Sequence, residues 1–139
     1  MRDRMATKQE ISRIVPGAEL FFGESVAQYL ADISDEAYSE EKEAVGFLLG
    51  GSYHDSRGDY AVVSGVTQDV AKASSAVGLF RSSLSGGDAT QEDVRRAVSV
   101  FGYTRTYLIV IDAVQGAMGM YAVENGVARK VPSAMVESL

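Results

Sequence analysis

The sequence predicts an α/β fold, one sheet with helices packed on it, formed as a single domain by 139 residues. Three observations carry that expectation. An apolar fraction of 46% beside 23% charged residues belongs to a globular chain able to bury one core. Apolar strand-like runs alternate with two segments of helical periodicity, in the order strand, helix, several strands, helix, strands. No internal repeat or low-complexity stretch breaks that order.

The polar, charged residues from Met1 to about Gln9 read as a loose tail, so that 1–17 form an N-terminal arm and Pro16-Gly17 marks entry to the domain. Ala18 to Phe22 reads as a short strand. Ser25 to Tyr38 reads as a helix because Val26, Tyr29, Leu30, Ile33 and Ala37 recur at helical spacing, and Ser25 with Gln28 has the form of a capping box. Ser39-Glu40-Glu41-Lys42 is a solvated connection into a strand from Glu43 to Gly50. Tyr53 to Asp59 reads as a turn with Arg57-Gly58-Asp59 at its tip, a hairpin rather than an adhesion motif, and Tyr60 to Val66 returns as a strand.

Thr67 to Ala76, polar and small, reads as a loop, Val77 to Phe80 as a strand, and Ser82 to Ala89 as a flexible glycine-rich loop. Thr90 to Phe101 is a second helix, with Val94, Ala97, Val98 and Phe101 on one face and Gly102 as its stop. Tyr107 to Ile111 is the most apolar strand and is expected at the centre. Ala117 to Val123 and Gly126 to Val131 read as a hairpin across Glu124-Asn125. The domain is expected to span 18–131, with 132–139 a C-terminal tail.

A formal charge of −6 with no basic patch argues against nucleic acid, whose phosphates call for clustered Lys and Arg. No apolar run is long enough to cross a bilayer, and Met1 to Ala6 lack the apolar stretch of a signal peptide. The chain has no cysteine, which removes disulfides and fits a cytoplasmic location.

One constellation points to chemistry. Glu43-Ala44-Val45-Gly46-Phe47-Leu48-Leu49-Gly50 is followed by Val77-Gly78-Leu79-Phe80-Arg81-Ser82-Ser83-Leu84 and then by Thr90-Gln91-Glu92-Asp93. This layout resembles the JAMM/MPN superfamily of zinc metallopeptidases, whose pattern runs Glu, Gly-x-Leu-x-Gly, His-x-His-Pro and Ser-x-x-Asp. The resemblance covers about Ala18 to Val123 and implies a mixed, curled β-sheet flanked by helices. It also implies roles. The acid matching Glu43 is the general base on a zinc-bound water, two histidines and the acid matching Asp93 hold the metal, and the hydroxyl matching Thr90 helps stabilise the oxyanion.

The chain departs from that pattern at the metal. Arg81 and Ser83 stand at the two histidine positions, Leu84 at the proline, and the loop from 83 to 90 is one residue shorter than usual. Zinc needs lone-pair donors at short range, and arginine has none to offer. With His54 the only histidine, too few imidazole or thiolate donors remain. The expected relic site is therefore Glu43, Arg81, Ser83, Thr90 and Asp93, with no metal, no cofactor and no catalytic residue. If Glu43 and Asp93 share a pocket, the Arg81 guanidinium can stand as a permanent cation between them.

Plainer readings sit beside each of these residues. Glu43 can be a solvated acid at a strand start, Arg81 can point to solvent, and Thr90 with Asp93 is a helix-capping signature in its own right. Ser82, Ser83 and Ser85 beside Gly86-Gly87 suggest a nucleophile or phosphate loop only superficially, because no base is placed and the P-loop lysine is missing. His54 reads as exposed, and Met118 and Met120 as core packing. The leading expectation is a catalytically silent domain acting as a protein-binding or scaffold module, as a homo-oligomer or with a protein partner, possible partners including a ubiquitin-like protein. The alternatives are a hydrolase, an isopeptidase or peptidase, whose carboxylates hold magnesium or calcium instead, and a small-molecule module gripping an anion with Arg81.

Overall fold

A computed structural model describes residues 17–136. Leu20–Gly23 (β1) runs straight into the helix Glu24–Ser39 (α1). The capping box expected at Ser25 and Gln28 is absent. The helix starts one residue early, Gly23 takes the N-cap position without a side-chain bond, and Ser25 is already inside the first turn. Val45–Asp55 (β2) and Gly58–Thr67 (β3) form a long hairpin, so strand replaces most of the turn expected from Tyr53. A 3-10 turn, Val70–Ser75, follows in the segment read as a loop, with Asp69 accepting from the Ala71 N–H. Ala76–Ser83 (β4), Gln91–Phe101 (α2), Thr106–Asp112 (β5), Met118–Glu124 (β6), Val127–Lys130 (β7) and Ser133–Val136 (β8) complete the chain.

The strands make one eight-stranded mixed sheet in the order β7-β6-β5-β4-β2-β3-β1-β8. β4 pairs parallel to β5, β1 parallel to both β3 and β8, and the remaining pairs are antiparallel. The sheet curls into a half-barrel, as the fold class requires. Only Val131 and Pro132 separate the two edge strands β7 and β8, which draws the edges toward one another. Pro132 stands just before β8, where its missing N–H costs no ladder bond and its carbonyl accepts from Glu19 and Leu20. The segment expected as a C-terminal tail therefore contributes a strand. The N-terminal arm lies outside the described residues except for Gly17.

Inside the curl, α1 places Val26 and Leu30 against Leu20, Leu48, Val63, Phe80 and Ile109. On the other face, Val94, Ala97 and Phe101 of α2 pack on Leu79, Leu108, Val110 and Tyr121. β5 is buried along six of its seven residues, matching the continuous apolar run that marks a strand covered on both faces. Met118 and Met120 pack against the inner core as expected. The β6–β7 hairpin turns at Asn125-Gly126, one residue later than expected. Both have positive φ, 54° and 77°, the requirement of a two-residue type I′ turn.

Two glycines of the motif have packing reasons of their own. A Cβ on Gly46 would sit 2.5 Å from the Phe80 ring, and one on Gly50 would sit 1.9 Å from the Val62 carbonyl oxygen beside the bulge in the β2–β3 ladder. Close strand and ring approach alone demands glycine there.

Candidate functional site

β4 carries Arg81 to the middle of the sheet, opposite Val45 of β2 on one side and Val110 of β5 on the other. Alternation along the strand sends Leu79 and Arg81 to the α2 face. Leu79 packs under that helix, and Arg81 reaches its first turn. There the Nε donates to Asp93 Oδ1 at 2.7 Å and Nη2 to Asp93 Oδ2 at 2.9 Å, a two-pronged guanidinium–carboxylate pair. Nη1 contacts both Glu43 oxygens at 3.4 Å, and Nη2 also donates to the Asp88 carbonyl at 3.3 Å. Arg81 is 7% exposed and Asp93 wholly buried.

Asp93 serves two structures at once. Its Oδ2 accepts from the Thr90 N–H at 2.9 Å and hydroxyl at 3.1 Å, while Thr90 Oγ1 accepts from the Asp93 N–H. The capping box read at Thr90 and Asp93 is present in full. Burial pushes the Asp93 carboxyl up, but the Arg81 bonds and the Thr90 N–H outweigh it and hold the group below the usual carboxylate range. Asp93 pushes the Arg81 pKa up in turn.

The remaining residues close around this pair. Glu43 lies at the entrance of β2 and accepts from the Leu84 N–H at 2.9 Å. Ser82 and Ser83, expected in a flexible loop, instead end β4 and are 1% exposed. Ser82 Oγ accepts from the Ala44 N–H at 2.7 Å, fastening the strand that carries Glu43 to the strand that carries Arg81. Ser83 Oγ accepts from Ser85 N–H, and the following loop is held by Tyr121 Oη donating to the Gly87 carbonyl. His54 lies near the far end of β2, roughly 30 Å along the strand from Val45 at 3.3 Å per residue. It is exposed, with Nδ1 2.7 Å from an Asp59 oxygen.

Glu43, Arg81, Thr90 and Asp93 thus meet, and Ser83 stands two residues along the same strand. Zinc does not fit these residues. Both Asp93 oxygens are committed to hydrogen bonds and the guanidinium lies between the carboxylates. Among the described residues no three His, Asp or Glu groups converge in a metal-binding cluster. Sequence reasoning missed the Ser82–Ala44 and Leu84–Glu43 bonds, since backbone partners leave no residue signature.

The Asp93 shift fixes a pH dependence. A carboxyl whose folded pKa is depressed contributes stability above its unfolded pKa, near 3.8, and loses it as pH falls through the folded value. Urea stability of the protein is expected to be level between about pH 5 and 7 and to fall below about pH 4. Asp93→Asn, less stable at pH 6, should show a shallower acid limb. A stability gap between the two proteins that stays constant from pH 6 to 3 would refute that assignment.

No protein-family model matches this chain. No curated protein matches it. Among solved structures, the fold is similar to the solution structure of protein DSY2949 from Desulfitobacterium hafniense, with a TM-score of 0.59 and 15% identity over 86% of this chain and 94% of that one. At that identity the likeness shows the fold alone. Among the described residues no helix is long and apolar enough to cross a membrane.

Proposed function

We propose that this chain is a catalytically inactive JAMM/MPN-like domain that acts in the cytoplasm as a protein-binding or scaffold module. The observation that carries the reading is the Arg81 guanidinium, tied to Asp93 by two bonds and touching Glu43, at the position the resemblance assigns to a zinc ligand. A fixed cation there neutralises two carboxylates that a metal would otherwise balance, and it offers no bound water to activate. The domain keeps the sheet and the helix cap without the chemistry. Its role is then to hold a protein partner, such as a ubiquitin-like protein or an active relative, or to pair with a second copy.

Purified protein is expected to carry no stoichiometric zinc and to leave ubiquitin-like substrates uncleaved. Near-equimolar zinc retained after mild chelation, together with cleavage, would overturn the reading.

A further inference from the structure

The tip of the β6–β7 hairpin joins the only asparagine of the chain, Asn125, to a glycine. Asn125 is exposed, and among the described residues its side-chain amide makes no hydrogen bond. Its own N–H donates to the Tyr103 carbonyl at 3.3 Å, whereas the Gly126 N–H lies outside the ladder that ends at Glu124 and Val127 and has no acceptor among the described residues. Nothing shields that nitrogen closely, since a Cβ on Gly126 would meet only a Tyr103 ring carbon at 3.8 Å. A carboxamide and the nitrogen able to attack it are therefore adjacent, accessible and unengaged. Gln115-Gly116 in the β5–β6 turn is the contrast. There the Gly116 N–H donates to the Asp112 carbonyl at 2.7 Å, the Gln115 N–H donates to Asp112 Oδ1 at 3.1 Å, and the longer side chain would have to close a larger ring.

We propose that Asn125 is a site of spontaneous deamidation and that its isoaspartyl product frees β7 from the sheet. The Gly126 nitrogen attacks Asn125 Cγ, the Cγ–Nδ2 bond breaks, and the proton lost from Gly126 passes through solvent to the departing amide, which leaves as ammonia. Water then opens the succinimide so formed. Attack at the side-chain carbonyl gives aspartate, and attack at the main-chain carbonyl gives the isoaspartyl form, whose backbone runs through Cβ and Cγ. The sum is water in and ammonia out, with no oxidant, metal or cofactor. Asparagine is among the thermally labile residues for this reason.

The isoaspartyl link adds a methylene to the backbone of a turn that fits only because Asn125 and Gly126 hold φ at 54° and 77°. β7 has four residues and lies at the edge of the sheet with β6 as its neighbour, so a displaced turn leaves its register without other support. Arg129 then loses its place opposite Ala122, and with it the two bonds of 3.1 and 3.0 Å to Glu19 that tie β7 to the start of β1. The new carboxylate also stands next to Glu124. Ring closure needs the turn to open, and the tip of a short edge hairpin opens at low free energy. The proposal is independent of the reading of Arg81.

Folded protein and protein held unfolded in urea, incubated side by side at mildly alkaline pH, test it. The tryptic peptide Thr106 to Arg129 is followed by mass and by labelling with an isoaspartyl methyltransferase. Conversion at Asn125 in the folded protein should run within about tenfold of the unfolded rate. In the isoaspartyl product, amide exchange at Val127 to Lys130 should be at least about tenfold faster than in fresh protein. Fresh Asn125→Asp, which carries the new charge on an ordinary backbone, should keep its protection there, and Asn125→Gly, free to adopt the same positive φ, should keep it on ageing. Slower conversion than that, unchanged protection in the isoaspartyl product, or an equal loss in fresh Asn125→Asp or aged Asn125→Gly would each overturn the proposal.

Discussion

Arg81→Met is expected to lower the stability of this domain by about 3–5 kcal/mol, the largest effect of any single change at the site. Methionine fills much of the volume, so the loss reports charge and not a cavity. With the guanidinium gone, Asp93 keeps its Thr90 bonds but is a wholly buried carboxylate that has lost its two short charged bonds, with only the longer Arg96 Nη1 contact at 3.6 Å left to balance it. The partner change Asp93→Leu also removes the N3 half of the α2 capping box, while the Thr90 hydroxyl still accepts from the backbone N–H of residue 93, a loss of up to about 1 kcal/mol by itself. The double variant Arg81→Met/Asp93→Leu should therefore recover much of the loss, leaving roughly the capping deficit. Urea denaturation of the four proteins gives the coupling directly. A loss under about 1 kcal/mol in Arg81→Met, or strict additivity in the double variant, would mean the pair is a solvated surface contact in solution.

Arg81→His with Ser83→His is expected to create a zinc site where none is measurable before. Residues 81 and 83 lie on the same face of β4, so the two imidazoles would stand side by side, and removal of the guanidinium frees Asp93 to be the third ligand. Affinity should rise to a Kd on the order of micromolar, and Asp93→Asn in that background should abolish it. Isothermal titration that finds no zinc binding in a folded double variant would show that these positions do not correspond to the ligands of the resembling family. The orienting bonds around ligand histidines are not in place here, so binding rather than turnover is the expected gain.

One part of this cluster, the helix cap, was legible in local spacing, whereas Glu43 and Arg81, 38 residues apart, were singled out through the family resemblance. Thr90 and Asp93 belong to one helix turn, which a three-residue spacing reveals. The meeting of Arg81 with Asp93 and Glu43 was one of two readings the sequence left open, the other being an arginine pointing to solvent, and the folded chain brings the three together. Ser82 and Ser83 were misread because serines beside glycines look like a loop, whereas here they end a strand whose neighbours bury them. The Ser25 cap failed for the opposite reason, a local capping pattern overridden when β1 ran directly into α1 and put the N-cap two residues earlier, at Gly23.

By itself the sequence determined the class of the fold, the two helices, the Thr90–Asp93 helix cap and the apolar run of β5, which lies third from the β7 edge and not at the centre expected for it. Each rests on periodicity or on charge, which are properties of neighbouring residues. Tertiary structure alone decided the rest. β8 exists because β1 offers it a parallel partner, and its four residues carry no pattern of their own. Glu19, Arg105 and the β6–β7 hairpin carrying Glu124 and Arg129 come together only as the sheet curls, and no local pattern links those three segments. Curl is a collective result of strand twist and of the edges drawn together at Val131-Pro132, so the contacts it makes across the sheet could be read only from the folded chain.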